Sequence, residues 1–301
     1  MRRRYSGGIT HERVRPVSLA EMQAGGHRIL TKYFDSMGEF LSECESKGVP
    51  SNRFGKAYNG GHWHGAYSYA EGARIIRKGI PKFRDEINSL VDKVSVSLPS
   101  EQDMWVADVA GCAPIVPAAI AGLPDNMLRL EKQETSDTPL RVYVSTVYSG
   151  GCSTDMIERR GVAILALLES LAAKRPVELL LFAELDDGDA LGFNSPIVRV
   201  DSMPLDQTTL TAALVSPVVS RMMFMGWCEQ NAGFAGTWAW GGMPPNSAPA
   251  QALTREALGA RDEDLVIFAA YLEESDLILR DPLAWVKEQI ALTESKFNGE
   301  G

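Results

Sequence analysis

The chain has few of the residues that mark disulfide-bonded, metal-binding or membrane proteins. Its four cysteines, Cys44, Cys112, Cys152 and Cys228, lie far apart and form no C-x-x-C pair. The sequence therefore indicates neither a zinc knuckle nor a disulfide framework, and we expect a reducing compartment. The longest apolar run, residues 162–173, contains a glutamate and is shorter than the roughly 18 residues that a membrane helix needs. We therefore expect a soluble protein.

Standard nucleotide and nucleophile motifs are absent as well. Ser149–Ser153 follows a predicted strand and precedes a predicted helix, where open α/β sheets bind phosphate or metal ligands. The turn has neither G-x-G-x-x-G spacing nor a P-loop lysine. A metal-adhesion site of von Willebrand type would need an aspartate here, and a nucleophilic Cys152 would need a histidine, yet none follows His64. We expect no catalytic residues, no metal site and no cofactor.

Charge is unevenly distributed along the chain. Residues 1–96 contain all four histidines and have 16 Lys/Arg against 10 Asp/Glu, whereas the whole chain has a formal charge of −9. The basic third also contains the aromatic and glycine-rich run 58–69. Net acidity opposes bulk attraction to DNA but does not exclude a local basic patch. An anionic partner is therefore expected to bind the N-terminal third.

The pattern of apolar residues divides the chain into three parts. Residues 1–33 are polar and rich in arginine, and they predict a flexible basic arm. Residues 34–98 predict a helical basic segment, because capping boxes begin at Ser36 and Ser68 and Pro81 precedes a third apolar stripe. Residues 99–301 predict the main domain.

The main domain has the pattern of a parallel α/β sheet. Residues 104–110, 140–148 and 177–184 predict strands, and a long helix over 153–173 separates the last two, as in a parallel strand pair. Residues 197–200 and 265–270 are expected to extend the sheet. Helices are predicted near 206–216, 217–230 and 282–296. The predicted fold is an α/β, Rossmann-like three-layer sandwich with a mainly parallel sheet.

Two loops in this domain have composition that suggests function. Residues 231–249 are rich in glycine and proline and include Trp238 and Trp240, and a loop of this length is often functional. Carboxylates at 184–189 follow a predicted strand and suit a divalent cation, although an ordinary solvated turn has the same composition.

Nucleic acid is the ligand that best suits the basic third. Aromatic rings there offer stacking surfaces for bases, worth about 1–3 kcal/mol each, and the cations would contact phosphates. A solvated helix face with packed aromatic residues has the same composition. The candidate binding residues are Arg53, Lys56, Tyr58, His62, Trp63, His64, Tyr67, Arg74, Arg77 and Lys78.

A histidine metal site is the competing hypothesis for the same run. His62 and His64 are one residue apart, so on an extended strand both rings would point the same way. A third ligand is required, and the nearest candidates are Glu71 and His27. Neither has convincing spacing, so we predict surface histidines that flank Trp63.

Several motifs together resemble an uncharacterised family, a domain of unknown function found mainly in tailed-bacteriophage proteins. The resemblance spans roughly residues 34–230. It rests on the following motifs: Trp63-x-Gly65, Ala70 and Ala73, Gly79, Asp108–Gly111, Pro117, Gly122-x-Pro124-x-x-Met127, Arg160–Gly161, Glu178, Leu205–Asp206, Pro217 and Arg221. The resemblance implies a Rossmann-like α/β region behind a helical segment. It carries no established catalytic residues.

The leading hypothesis is a phage-encoded, non-catalytic accessory protein in the host cytoplasm. It would bind single-stranded DNA or a phage or host polymerase complex of replication or transcription through its basic third. One alternative is a virion or other protein-interaction component that docks through the Trp238/Trp240 loop. Another is a metal-dependent enzyme that uses Ser149–Ser153 with Glu184 or Asp206.

Overall fold

The computed structural model describes residues 15–16, 28–46, 65–97, 104–131, 139–148, 152–183, 192–200, 207–232, 248–268 and 273–297. The strands are β1 (Arg15–Pro16), β2 (Arg28–Phe34), β3 (Met104–Asp108), β4 (Ala113–Pro114), β5 (Met127–Glu131), β6 (Leu140–Ser145), β7 (Val177–Phe182), β8 (Gly192–Val200) and β9 (Leu265–Ile267). The helices are α1 (Met37–Ser46), α2 (Tyr69–Lys78), α3 (Arg84–Ser97), α4 (Val116–Ile120), α5 (Thr154–Ala172), α6 (Gln207–Val215), α7 (Met225–Ala232), α8 (Ala248–Leu258), α9 (Leu277–Arg280) and α10 (Pro282–Phe297). A π-helical stretch, Val219–Phe224, runs into α7.

The main sheet has six strands in the order β1-β2-β8-β7-β6-β9. The β2–β8, β7–β6 and β6–β9 pairs are parallel, and the β1–β2 and β7–β8 pairs are antiparallel. The strand–helix–strand unit β6-α5-β7 forms as predicted, and β8 and β9 extend the sheet. The predicted α/β class with a mainly parallel sheet is confirmed.

Helices cover both faces of the sheet and make the domain three layers deep. Alternate residues of β6 and β7 face opposite sides, as strand geometry requires. Val142 and Leu179 join a large core with α1–α3, α5–α7, α9 and α10. Tyr143 and Leu180 face a smaller cluster that includes Leu258 of α8. The large core therefore lies on one side of the sheet and α8 on the other.

The N-terminal helices begin where the sequence predicts. Ser36 Oγ accepts a hydrogen bond from the backbone amide of Glu39, and Ser68 Oγ accepts one from the amide of Glu71. Both bonds are 3.1 Å long, and each donor lies three residues after its serine. Each glutamate carboxylate in turn accepts a hydrogen bond from the backbone amide of the residue before the serine, Asp35 or Tyr67. These reciprocal bonds satisfy free N–H groups at the helix ends, so α1 and α2 are fixed locally.

Strand β2 differs from the sequence prediction. Residues 28–33 were assigned to the arm, but Arg28–Phe34 pairs with β8 along its whole length. Phe34 is buried against Phe40 and Trp227, with ring centroids 5.2 and 6.3 Å away. The alternating polar residues of β2 hid its strand character, because only one of its faces contributes to the large core. The helices α1–α3 share that core with α5.

A second, small sheet lies outside the main one. Strands β3, β5 and β4 form a three-stranded antiparallel sheet in that order, with α4 in the connection between β4 and β5. We call residues 104–131 the small sheet. The sequence correctly predicted a strand at Met104–Asp108 but placed it with the parallel strands. A strand pattern of only five residues does not reveal which sheet the strand joins.

Within the described ranges, no single helix has both the length and the apolar composition needed to cross a membrane, although Thr209–Val215 and Val219–Cys228 meet these criteria jointly with a 70° bend.

Candidate nucleic-acid interface and the carboxyl edge of the sheet

Four of the predicted binding residues lie in helix α2 or just before it. Arg74, Arg77 and Lys78 are exposed, and their spacing of three and four residues places them on one side of the helix. Tyr67 is exposed as well and lies just before Ser68, the extended residue that caps the helix. The opposite side of α2 is buried. We call these four residues the α2 face.

The opposite side of α2 holds it firmly against the core. A Cβ atom at Gly72 would lie 2.7 Å from Met223 Cε and 2.8 Å from Val218 Cγ1. The missing side chain therefore allows α2 to approach the π-helical stretch closely. Ala73 and Ile76 complete the contact and are fully buried. The α2 face is consequently presented by a rigid element.

One of the three cations on the α2 face already has an ion-pair partner within the protein. Arg77 donates to Glu45 Oε1 and Oε2 at 3.0 and 2.7 Å in a bidentate pair. This hydrogen bonding raises the pKa of Arg77 and lowers that of Glu45. Among the described residues, Arg74 and Lys78 form no ion pair. The α2 face therefore has two cations, Arg74 and Lys78, without an ion-pair partner among the described residues.

The other predicted binding residues, Arg53, Lys56, Tyr58, His62, Trp63 and His64, lie outside the described residues. The chain is described again from Gly65, four residues before α2. The His62/His64 hypothesis falls outside for the same reason. The residues that the structure describes contain no group of three or more His, Cys, Asp or Glu side chains that could hold a metal ion.

The carboxyl edge of the parallel strands is built around two buried arginines. Arg160, in α5, is 1% exposed and donates to Ser145 O at the end of β6 and to Phe268 O after β9, both at 3.3 Å. Its guanidinium also stacks 5.3 Å from the centre of the Tyr148 ring. Arg160 thus ties together the ends of two adjacent strands.

Arg221 approaches the same edge from the π-helical stretch. It donates to Tyr148 O at 2.7 Å, and it is 7% exposed. π-Helical turns are rare and often occur at functional sites. The Tyr148 hydroxyl lies 3.3 Å from Leu214 O, and burial raises its pKa while both arginines act in the opposite direction. Two buried cations at this edge favour an anion and disfavour a divalent cation.

The predicted enzyme site can be placed only in part. Cys152 and Ser153 are described, and Ser153 caps α5 by accepting from the Met156 amide at 3.2 Å. Cys152 is buried, which makes it inaccessible to a reactant. Residues 149–151, the carboxylates of 184–189, Asp206 and the loop residues 233–247 lie outside the described residues.

The sequence analysis also missed a buried ion network on the α8 side of the sheet. Arg141 and Glu178 are direct neighbours on β6 and β7, and Arg141 Nε lies 3.5 Å from Glu178 Oε2. Asp264, just before β9, lies 3.9 Å from Arg141 Nη1, and Arg199 on β8 lies 3.3 Å from Glu178 Oε1. The sequence does contain a signal for this network, because Arg141 and Glu178 are charged residues inside otherwise apolar strands.

Arg160 had a similar signal that was not used. It lies three residues after Ile157 and four before Ile164, on the apolar stripe that predicted the buried face of α5. A charged residue at such a position is expected to have a specific partner, since burying an unpaired charge is costly. The partners here are main-chain carbonyls, which no side-chain motif can indicate.

Comparison with protein families gives one match. The family model described as a domain of unknown function, DUF7192, matches residues 10–293. No curated protein and no solved structure matches the chain. Because the family model covers nearly the whole sequence, the chain belongs to this family, DUF7192.

Proposed function

We propose that this protein binds single-stranded nucleic acid through the α2 face, without catalysing a reaction on it. The observation that supports this most directly is that Arg74, Arg77 and Lys78 share one exposed side of a closely packed helix, and that the exposed Tyr67 lies just before the helix N-cap. An exposed aromatic ring beside cations is the combination that binds a base and its neighbouring phosphates. The six candidate residues of 53–64 precede this helix in the chain.

The setting we propose is an accessory role in phage replication or transcription inside the host cytoplasm. It rests on the sequence resemblance to phage proteins. The overall charge of −9 would limit non-specific binding to long nucleic acids, so affinity would depend on the local cations.

Fluorescence anisotropy with a labelled single-stranded oligonucleotide tests the proposal. The variant Arg74→Glu/Lys78→Glu reverses two cations on the α2 face and should abolish binding at low salt. Arg280→Glu/Lys287→Glu makes the same charge change on α9 and α10 and should leave binding unchanged. Equal affinities for the two variants, or no binding by the unmodified protein at low salt, would refute the proposal.

The salt dependence distinguishes phosphate contacts from other attractions. With roughly three phosphates neutralised, the logarithm of affinity should fall with the logarithm of salt concentration with a slope near −2. Glu45→Gln removes the carboxylate that pairs with Arg77 and should strengthen binding several-fold. Weaker or unchanged binding by that variant would show that Arg77 does not contact the nucleic acid.

A further inference from the structure

The ion network on the α8 side of the sheet contains buried hydrogen-bond donors that the described part of the protein does not pair. Arg141 is 2% exposed and Tyr143 is fully buried. Among the described residues, the two Nη atoms of Arg141 and the Tyr143 hydroxyl have no hydrogen-bond partner. Buried polar groups are normally paired, so each unpaired one in a native structure needs an explanation. Several unpaired donors in one place point to a ligand.

These donors lie close together. Arg141 and Tyr143 are two residues apart on β6, so their side chains leave the same face of the strand. Burial raises the pKa of Tyr143 to about 12, and the nearby Arg141 guanidinium is the main influence that opposes this rise. The charge of Arg261 is near enough for Tyr143 to affect its pKa as well. The Tyr143 hydroxyl therefore stays protonated at neutral pH and can donate a hydrogen bond here.

The carboxylates of the network do not satisfy these donors. Asp264 already accepts from the Arg261 amide at 2.8 Å and from the Arg261 guanidinium at 2.7 Å. It lies 3.9 Å from Arg141 Nη1, beyond hydrogen-bond reach. Among the described residues, one buried carboxylate oxygen of the network, Glu178 Oε1, lacks a hydrogen bond. Each Nη atom has two N–H bonds and the hydroxyl has one O–H bond, so donors outnumber acceptors.

The surplus of donors determines what kind of group can bind at this place. A water molecule donates as many hydrogen bonds as it accepts, so it leaves the surplus of donors unchanged. An oxyanion has acceptor atoms alone and removes the surplus. The planar fork of an arginine also matches the two oxygens of a carboxylate or a phosphate. The donors therefore favour a bound oxyanion over water.

The charges around these donors favour a carboxylate over a phosphate. The cations are Arg141, Arg199, Arg255 and Arg261, and the carboxylates are Glu178, Glu263 and Asp264. One positive charge is left over, and Lys296 and Asp262 nearby offset each other. A carboxylate matches this single charge, whereas a phosphate group carries about −1.5 to −2 at neutral pH. The side chains that share a cluster with Tyr143, such as Leu180 and Val266, are apolar and suit an apolar ligand body.

We propose that a small monocarboxylate binds on the α8 side of the sheet, between the Nη atoms of Arg141 and the hydroxyl of Tyr143. The side chains of Arg199 and Arg261 are 32% and 24% exposed, so the network reaches the surface at these two residues. The site lies across the sheet from α2, whose Ile76 packs in the large core while Tyr143 belongs to the smaller cluster. Carboxylate binding and nucleic-acid binding are therefore independent.

Nuclear magnetic resonance of the full chain with 13C-carboxyl-labelled acetate tests the proposal. The protein is dialysed against a chloride buffer, and one sample is denatured and checked for a released carboxylate. Titration of the remainder should show saturable binding of acetate with a Kd of about 1 mM, which is reasonable for so small a ligand. A carboxylate released at about one equivalent per chain supports the proposal equally. Neither a released carboxylate nor saturable acetate binding would overturn it.

Two variants of the site and one control locate the binding. Tyr143→Phe removes one donor and keeps the ring, so the affinity for acetate should fall about tenfold or more. Arg141→Lys keeps the charge but loses the fork and should weaken binding at least as much. Tyr148→Phe makes the same change at a buried tyrosine beside the buried Arg160 and should leave acetate binding unchanged. Unaltered binding by Tyr143→Phe would overturn the site, and tighter binding of inorganic phosphate than of acetate, followed by 31P resonance, would overturn the choice of a carboxylate.

Discussion

Replacing Glu178 with glutamine should destabilise the protein strongly, although the change keeps the size and shape of the side chain. Glu178 is the carboxylate shared by Arg141 on β6 and Arg199 on β8, at 3.5 and 3.3 Å. The Arg141 and Glu178 side chains are 2% and 7% exposed, so water cannot replace a lost partner. After the substitution, Asp264, 3.9 Å away, is the carboxylate that remains near Arg141 among the described residues.

The expected decrease in the free energy of unfolding follows from leaving a buried charge without its partner. Breaking a buried pair by removing one partner typically costs 3–5 kcal/mol. Because Asp264 remains and Arg199 is 32% exposed, we expect the lower end of that range, about 3 kcal/mol. A domain usually has only about 5–15 kcal/mol of stability, so this loss is a large fraction of the total.

Urea denaturation followed by tryptophan fluorescence and far-ultraviolet circular dichroism measures this effect. Arg141→Met provides the second single variant of a double-mutant cycle. The double variant should lose less stability than the two single variants lose in sum, and we expect this difference to be at least about 1 kcal/mol. A Glu178→Gln variant within about 1 kcal/mol of the unmodified protein would refute the reasoning, as would strictly additive losses.

Three further changes test other parts of the fold. Burial raises the pKa of Tyr143 to about 12, whereas an unfolded tyrosine ionises near pH 10. The stability that the neutral ring contributes is therefore complete below about pH 10 and declines toward pH 12, by roughly 2–3 kcal/mol. Tyr143→Phe should flatten this decline in urea titrations at pH 9 and 11.5, and an equal decline in both proteins would contradict the assignment. Gly161→Ala would place a Cβ 2.4 Å from Val215 Cγ1, so thermal unfolding should show a loss of about 1–3 kcal/mol despite the better helix propensity of alanine; increased stability would show that α6 can move away. Ser153→Ala removes the cap of α5 and should cost about 1 kcal/mol in the same assay, whereas Ser153→Asp should restore most of it.

The sequence predicted the elements whose signals are local. The serines that cap α1, α2 and α5 lie within three residues of the amides they bond, so a short pattern is sufficient to locate each helix start. The strand–helix–strand unit around α5 was predictable because continuous apolar strands flank a long apolar-striped helix. The fold class that these signals predict is confirmed by the structure.

Elements defined by distant partners were not predictable in the same way. Strand β2 becomes a strand through its pairing with β8, more than 160 residues later in the sequence. The segment Met104–Asp108 has a strand pattern, but only its pairing with β5 separates it from the main sheet. Helix α8 follows the glycine-rich loop and was not anticipated. Register and sheet membership depend on contacts that a single sequence does not display.

The candidate sites divide along the same lines. The shared side of Arg74, Arg77 and Lys78 follows from helical spacing alone, once the capping box at Ser68 has located the helix. The arginines at the carboxyl edge were not, since Arg160 bonds to the ends of β6 and β9 and Arg221 to the carbonyl of Tyr148. Main-chain acceptors have no sequence signature, so such a site becomes visible only when the strands are assembled.

The π-helical stretch Val219–Phe224 connects these two regions physically. Its Met223 lies where a side chain at Gly72 would clash, so it sets the distance between α2 and the core. Its Arg221 donates to the carbonyl of Tyr148, three residues after the end of β6. One short element therefore contacts both α2 and the carboxyl edge of the sheet. The described helices of the basic third, α1–α3, share the large core with the α/β fold, so the change of charge along the chain is not accompanied by a break in packing among the described residues.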